Sequence, residues 1–136
     1  MGQRLILDTS VVIAGARGDL DLGRVFGGED DVVLPAITLA EYMTGVLLAD
    51  SEARRAERRA FLEEVLAVTP VEVYTPAVAE HHAALLAHVR RTGTSHGAHD
   101  LIIAATARAT GRLLLSSDER ARFNDLPKVA ARLVRA

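Results

Sequence analysis

Residues 5–14 read LILDTSVVIA, and the order of residue types in that stretch decides how the chain is built. Leu5, Ile6 and Leu7 form a short, unbroken apolar run, the pattern of a central parallel strand covered on both faces. Asp8 stands at its C-terminal end. Thr9 and Ser10 are capping residues, so Val11 to Ala16 is expected to be a short helix that Gly18 ends. The unit is strand, acid, helix.

The same alternation continues outward. Gly27 and Gly28 mark a turn before Val32-Val33-Leu34, a second strand stopped by Pro35, which cannot donate to a ladder. A helix from about Thr38 to Leu48 is expected next, with Glu41 in its first turn. A second helix from about Glu52 to Leu66, capped by Ser51, makes a helical hairpin with it. Val71 to Tyr74 reads as a weaker third strand. Thr75 and Pro76 are a cap and a first-turn proline for a helix that runs to Thr92 and stops at Gly93. After a polar loop, the apolar stretch DLIIAATARAT, residues 100–110, predicts a buried helix ended by Gly111. Leu113-Leu114-Leu115 is a fourth strand of parallel type, and Ser116-Ser117-Asp118 returns the chain to the surface. The tail from Pro127 onward fits an edge strand or a short helix equally well. Together these elements predict an α/β fold: one domain over residues 1–136, with a central, mostly parallel sheet of four or five strands flanked by helices. Ligands of such sheets bind beyond the carboxyl ends of the strands.

Composition narrows the function classes. The chain is 49% hydrophobic and 25% charged, enough for a core and a solvated surface. Aromatics are only 4%, with no Trp, which argues against a broad platform for stacking bases. A net charge of −2 argues against a generic polyanion binder, unless several acids are drawn into one cation site and the local potential is reversed. There is no Cys, which removes disulfides, thiolate nucleophiles and Cys-based zinc or iron–sulfur centres and fits a reducing cytoplasm. No apolar run has the length of a membrane span, and no signal-peptide pattern opens the sequence. A cytoplasmic protein without a membrane partner is expected.

The candidate chemistry lies in four acids. Asp8 and Asp118 each follow a buried strand, Asp100 opens a buried helix, and Glu41 belongs to the helix after the second strand, so all four can meet at one edge of the sheet. Converging carboxylates raise one another's pKa and favour a bound cation. Oxygen ligands without Cys point to Mg²⁺ or Mn²⁺. Such ions activate water and steady a leaving oxygen, which suits hydrolysis of a nucleic-acid backbone. An acid at a helix start often serves only the dipole, worth roughly 0.3–1 kcal/mol. The specific signal is the set of four.

LILDTSVVIA, ITLAEY, HDLIIAATA and LLLSSD resemble the successive acidic motifs of PIN domains, in family order and over nearly the whole chain. At this length the sequence is similar to PIN-domain toxins of VapC type. The resemblance implies a Mg²⁺-dependent endoribonuclease acting on RNA and neutralised by a VapB-type antitoxin. It also implies a homodimer and a toxin–antitoxin hetero-oligomer. By motif, Asp8, Glu41, Asp100 and Asp118 become the catalytic, metal-binding acids, with Thr9 and Ser116 in support. The pattern departs at Arg120 and Ala121, where many members carry a further Asp or Asn and then Phe. Asn124 or Asp125 could substitute only if their loop bends back.

Other residues carry weaker expectations. Arg90, Arg91, His96 and His99 flank the third motif and are candidate substrate contacts. Arg54, Arg55, Arg58 and Arg59 form a basic strip, read as a solvated face or as a guide for RNA or antitoxin. His81, His82 and His88 lack the spacing of a helical zinc site and read as surface residues. An antitoxin tail is expected to place an Arg or Lys among the acids and to lay an apolar face against Tyr42, Met43 and Val46. Two rivals remain at this point. One is an aspartyl-phosphate phosphoryl-transfer domain, disfavoured because Ser10 breaks its D-x-D pair. The other is a catalytically silent PIN-like scaffold for RNA or protein.

Overall fold

A computed structural model describes residues 2–135. Its sheet is wholly parallel: β1 (Arg4–Leu7), β2 (Asp31–Pro35), β3 (Val71–Glu72), β4 (Leu113–Ser116) and β5 (Ala131–Leu133) lie in the order β3-β2-β1-β4-β5. The run read at residues 5–7 is the middle strand, and Leu5, Ile6 and Leu7 are fully buried.

Side chains alternate across a strand, and the two faces accordingly feed two cores. Ile6, Val33 and Leu114 point to one, closed by α5 (Pro76–Thr92) and α6 (Ala98–Thr110) through Val78, Leu85, Leu101 and Ile103. Leu5, Leu7, Leu34 and Leu115 point to the other, closed by α1 (Thr9–Ala16), α3 (Ala36–Leu47) and α4 (Glu52–Val68) through Val11, Val12, Tyr42, Val46 and Leu62. This three-layer packing explains why the central strands lack polar alternation.

Helix boundaries follow local chemistry. Ser51 accepts from the Arg54 amide and Thr75 from the Val78 amide, each capping its helix as expected. Gly93 and Gly111 end α5 and α6 in the left-handed region, at φ 68° and 64°, where a side chain would be strained.

Several expectations are corrected. Thr9 and Ser10 are inside α1 rather than before it; Asp8 is the cap residue. Because α3 begins at Ala36, directly after Pro35, Glu41 is in its second turn. The third strand is only two residues long, since past Glu72 the chain leaves β2. A one-turn helix α2 (Leu22–Val25), capped by Asp21, fills a segment with no apolar periodicity to announce it. The tail becomes a strand: Asn124 bonds both backbone groups of Ala131, at 3.0 and 3.1 Å, and β5 adds to β4. That bond also fixes the loop so that neither Asn124 nor Asp125 turns back to the acids. Tyr42 and Val46 are core residues, 6% and 1% exposed, and are no anchors for a partner. The apolar side chains left exposed around them are Met43, Leu47 and Leu48.

At the N-terminal end of the sheet, buried Arg112 donates to the Leu5 and Asp31 carbonyls, at 3.3 and 2.9 Å, and to the Asp31 carboxylate at 2.9 Å. Its guanidinium ties β1, β2 and the start of β4 together. Arg112→Met keeps the stem and strands these acceptors, so it is expected to cost about 1–3 kcal/mol. A urea midpoint equal to that of the wild type would contradict this.

Candidate active site

The strand order places the acids. From β1 the chain runs outward through β2 and β3, then returns to lay β4 and β5 on the other side of β1, so the direction of winding reverses between β1 and β4. At such a switch point the carboxyl ends of two neighbouring strands diverge and leave a crevice. Leu7 pairs with Leu115, so Asp8, directly after β1, and Asp118, two residues past β4, both leave the sheet at this end.

Asp8 is only 4% exposed, yet its carboxylate does not cap α1. Ser10 and Ser116 hydroxyls donate to its Oδ2 at 2.7 and 2.9 Å. Burial pushes its pKa up, and these bonds pull against that push. Ser10 Oγ in turn accepts from the Ser117 amide at 2.9 Å, and Ser116 Oγ from the Asp118 amide at 3.1 Å. The same hydroxyls thus orient the first acid and the backbone leading to the last.

Glu41 reaches the crevice from α3. Thr9 Oγ1 donates to its Oε1 at 2.6 Å, and His99 Nδ1 lies 3.2 Å from its Oε2. Buried Thr38 completes the support: its Oγ1 is 3.2 Å from Thr9 Oγ1 and reaches the Leu7 carbonyl at 3.4 Å. Asp100, in the first turn of α6, has Gly97 at its side: a Cβ there would come 3.1 Å from Asp100 Oδ2. Exposed Asp118 accepts from the Arg120 amide at 2.9 Å and caps the turn Glu119–Ala121, so for this acid the capping role is real.

Electrostatics couples Asp100 to the other three acids. The Asp100 pKa is pushed up to about 6, first by burial and then by the charges of Asp8, Asp118 and Glu41, with His99 opposing. In donor chemistry and charge the set fits a hard divalent cation, which would relieve that repulsion. As the side chains stand, no group of three or more His, Asp or Glu among the described residues is arranged to hold a metal ion. Asp8, Glu41 and Asp118 are each bonded to their own donors.

The remaining candidates separate. His99 joins the site through Glu41. His96 bonds the Ala121 carbonyl at 3.2 Å instead. Arg90 and Arg91 are exposed in the last turn of α5 and contact none of the four acids. The arginine strip splits: Arg55 pairs with Glu52, Arg59 is exposed, Arg54 pairs with Asp50, and Arg58 donates to the Gly45 carbonyl; Arg54 and Arg58 line the same pocket as Glu41. Sequence reasoning missed the roles of Ser10 and Thr38. Thr38 faces Thr9 and the Leu7 carbonyl, far back in the chain, and Ser10 joins Asp8, two residues before it, to the distant Ser117 amide, links that no local pattern announces.

A parallel sheet in this order, with acids beyond β1 and β4, is the PIN-like α/β fold, shared at a TM-score of 0.87 and 17% identity with the structure of VapBC2 from Rickettsia felis, over 97% of this chain and 99% of that one. The chain belongs to the PIN-domain family, whose model matches residues 5–129. It is 36% identical over 115 residues to Ribonuclease VapC5 of Mycobacterium tuberculosis, covering 84% of this chain and 82% of that protein. The structure of VapBC-5 from the same organism, a toxin–antitoxin system, superposes at a TM-score of 0.76 and 29% identity over 98% of both chains.

The raised Asp100 pKa fixes a pH dependence. Its folded value, about 6, exceeds the ordinary 3.8, so the folded state binds the extra proton in between. The stability Asp100 contributes is then present below pH 4 and lost as pH rises through 6. In metal-free protein, Asp100→Asn is expected to raise the melting temperature at pH 7 by roughly 3–5 °C and to remove this loss. Parallel melting curves of variant and wild type across that range would contradict the assignment.

Proposed function

We propose that this protein is a Mg²⁺- or Mn²⁺-dependent endoribonuclease, the toxin of a VapBC-type pair, with residues 1–136 acting as one catalytic domain in the cytoplasm. The carrying observation is the convergence of four carboxylates at the switch point of the sheet, read in the displaced pKa of Asp100. The names of its relatives, ribonucleases of VapC type, support the reaction class.

Asp8, Glu41, Asp100 and Asp118 would hold the cation. A cation held there would supply an activated water and charge neutralisation at the phosphodiester. The chain's own residues prepare the rest. Ser10 and Ser116 fix the Asp8 carboxylate, so its orientation is set before any ligand arrives. Thr9 and His99 hold Glu41 from its two oxygens. Asp100 keeps a proton to a higher pH than an ordinary carboxyl while the site is empty, and surrenders it when positive charge enters. The partners are RNA as substrate, a second copy of the chain, and a VapB-type antitoxin whose basic tail residue competes for the same carboxylates.

Asp8→Asn and Asp100→Asn are each expected to reduce cleavage of single-stranded RNA by at least about 100-fold, beyond the ~10–100-fold that outer-shell partners of a metal site cost. Both should retain the wild-type circular dichroism spectrum. Mg²⁺ should raise the wild-type melting temperature, by the equivalent of about 2.7 kcal/mol at a hundred times its Kd, and raise that of Asp100→Asn far less. Full activity in both variants would overturn the assignment. Wild-type protein that binds RNA and cuts none at any divalent-ion concentration would be the silent scaffold instead.

A further inference from the structure

Beside Glu41, residues of α1, α3 and α4 line a pocket of about 320 Å³, at the lower end of ordinary small-ligand sites. Its apolar lining comes from Ile13, Ala16, Tyr42 and Phe61, and its rim from Arg17, Arg54 and Arg58. Glu41 and Glu57 are the acids that line it. We propose that this pocket is a nucleotide subsite of the nuclease, taking a base of single-stranded RNA next to the cleaved phosphodiester, with the arginines on its phosphates. The proposal rests on the ribonuclease reading above, and it gives a role to the two arginines of the strip that line a pocket with Glu41.

Three observations carry it. First, the pocket adjoins a proposed catalytic acid, since Glu41 lines it, so a chain bound across the carboxylates can reach this cavity. Second, its cations are available. Arg17 follows α1 and is exposed, its side chain without a partner among the described residues. Arg54 has only Asp50 at 3.4 Å, both side chains more than 60% exposed, a surface pair of little strength. Arg58 is held by the Gly45 carbonyl at 2.7 Å, which aims its guanidinium without neutralising it. Third, the lining combines half-buried Phe61 and the edge of Tyr42, with ring centres 6.3 Å apart, below a cationic rim. An apolar floor under guanidinium groups suits a base with its phosphates better than a free phosphate, which has no use for the floor.

The site also accounts for the composition. A chain of net charge −2 has no general affinity for polyanions. Three arginines grouped beside the acids guide RNA where it is cut and nowhere else.

Gly45 supplies the cleanest test. It lines the pocket from α3, and a Cβ there meets nothing within 4 Å. Gly45→Leu therefore fills the cavity while improving helix propensity, so folding is preserved. Affinity for a short fluorescein-labelled single-stranded RNA of mixed sequence would be measured by anisotropy with Mg²⁺, in an Asp100→Asn background that leaves the RNA intact. Gly45→Leu is expected to weaken binding at least several-fold. Arg17→Ala and Arg54→Ala should each weaken it and reduce the slope of log K against log salt by about 0.7 for each phosphate no longer neutralised. Arg59→Ala, on the same helix and outside the pocket, should change neither. Unchanged affinity and slope in Gly45→Leu, Arg17→Ala and Arg54→Ala overturn the subsite. So does a result in which these variants bind RNA normally and lose only a protein inhibitor, which would make the pocket a docking site for that partner. Cleavage by Asp100→Asn at the wild-type rate would strike the assignment of the catalytic acids, and wild-type protein that cuts no RNA would strike the ribonuclease reading; both are failures separate from that of the subsite.

Discussion

A buried carboxylate at the end of the central strand is the constraint on which the structure turns. Asp8 is 4% exposed, and a charge so placed is tolerable only where protein groups replace water. Those groups are Ser10, two residues ahead on α1, and Ser116, which reaches Asp8 only because β4 lies parallel to β1 in the register Leu7 to Leu115. Register in turn is set by the alternation that sends Ile6 and Leu114 to one core and Leu5, Leu7 and Leu115 to the other. A slip of one residue would exchange the cores and remove the hydroxyl from the acid. Packing and site are therefore one requirement.

The site is built against its own stability. Burial, and then the charges of three other carboxylates, raise the pKa of Asp100, and nothing among the described residues neutralises the acids beyond hydroxyls, His99 and backbone amides. The opposite end of the sheet shows the contrast: there the buried ion Arg112 is matched by carbonyls and by Asp31. A fold that pairs a buried cation with a carboxylate at one end and leaves carboxylates in mutual repulsion at the other is expected of a site that an external cation completes.

Most of the architecture was legible in the sequence because its signals are local. The apolar runs at 5–7, 32–34 and 113–115, the caps Ser51 and Thr75, and the stops Gly93 and Gly111 act through near neighbours along the chain. The four acids were legible because each follows such a signal. What escaped depends on contacts far apart in sequence. Tyr42 and Val46 looked like free anchors on an amphipathic helix, but α4 covers them through Leu62, and Tyr42 donates to the Arg58 carbonyl at 3.1 Å. His96 and His99 looked equivalent beside the third motif, and only the turn of α6 carries His99 to Glu41. The tail could not be assigned because its strand depends on Asn124 clamping Ala131.

The central claim, that Asp8, Glu41, Asp100 and Asp118 act as one electrostatic unit completed by a divalent cation, is tested most directly by following the Asp100 side-chain carboxyl by carbon NMR as pH is varied, with and without Mg²⁺. The account requires titration near 6 in the metal-free protein and a fall well below that value when Mg²⁺ is added. An Asp100 that titrates like an ordinary aspartate, unmoved by Mg²⁺, would contradict it.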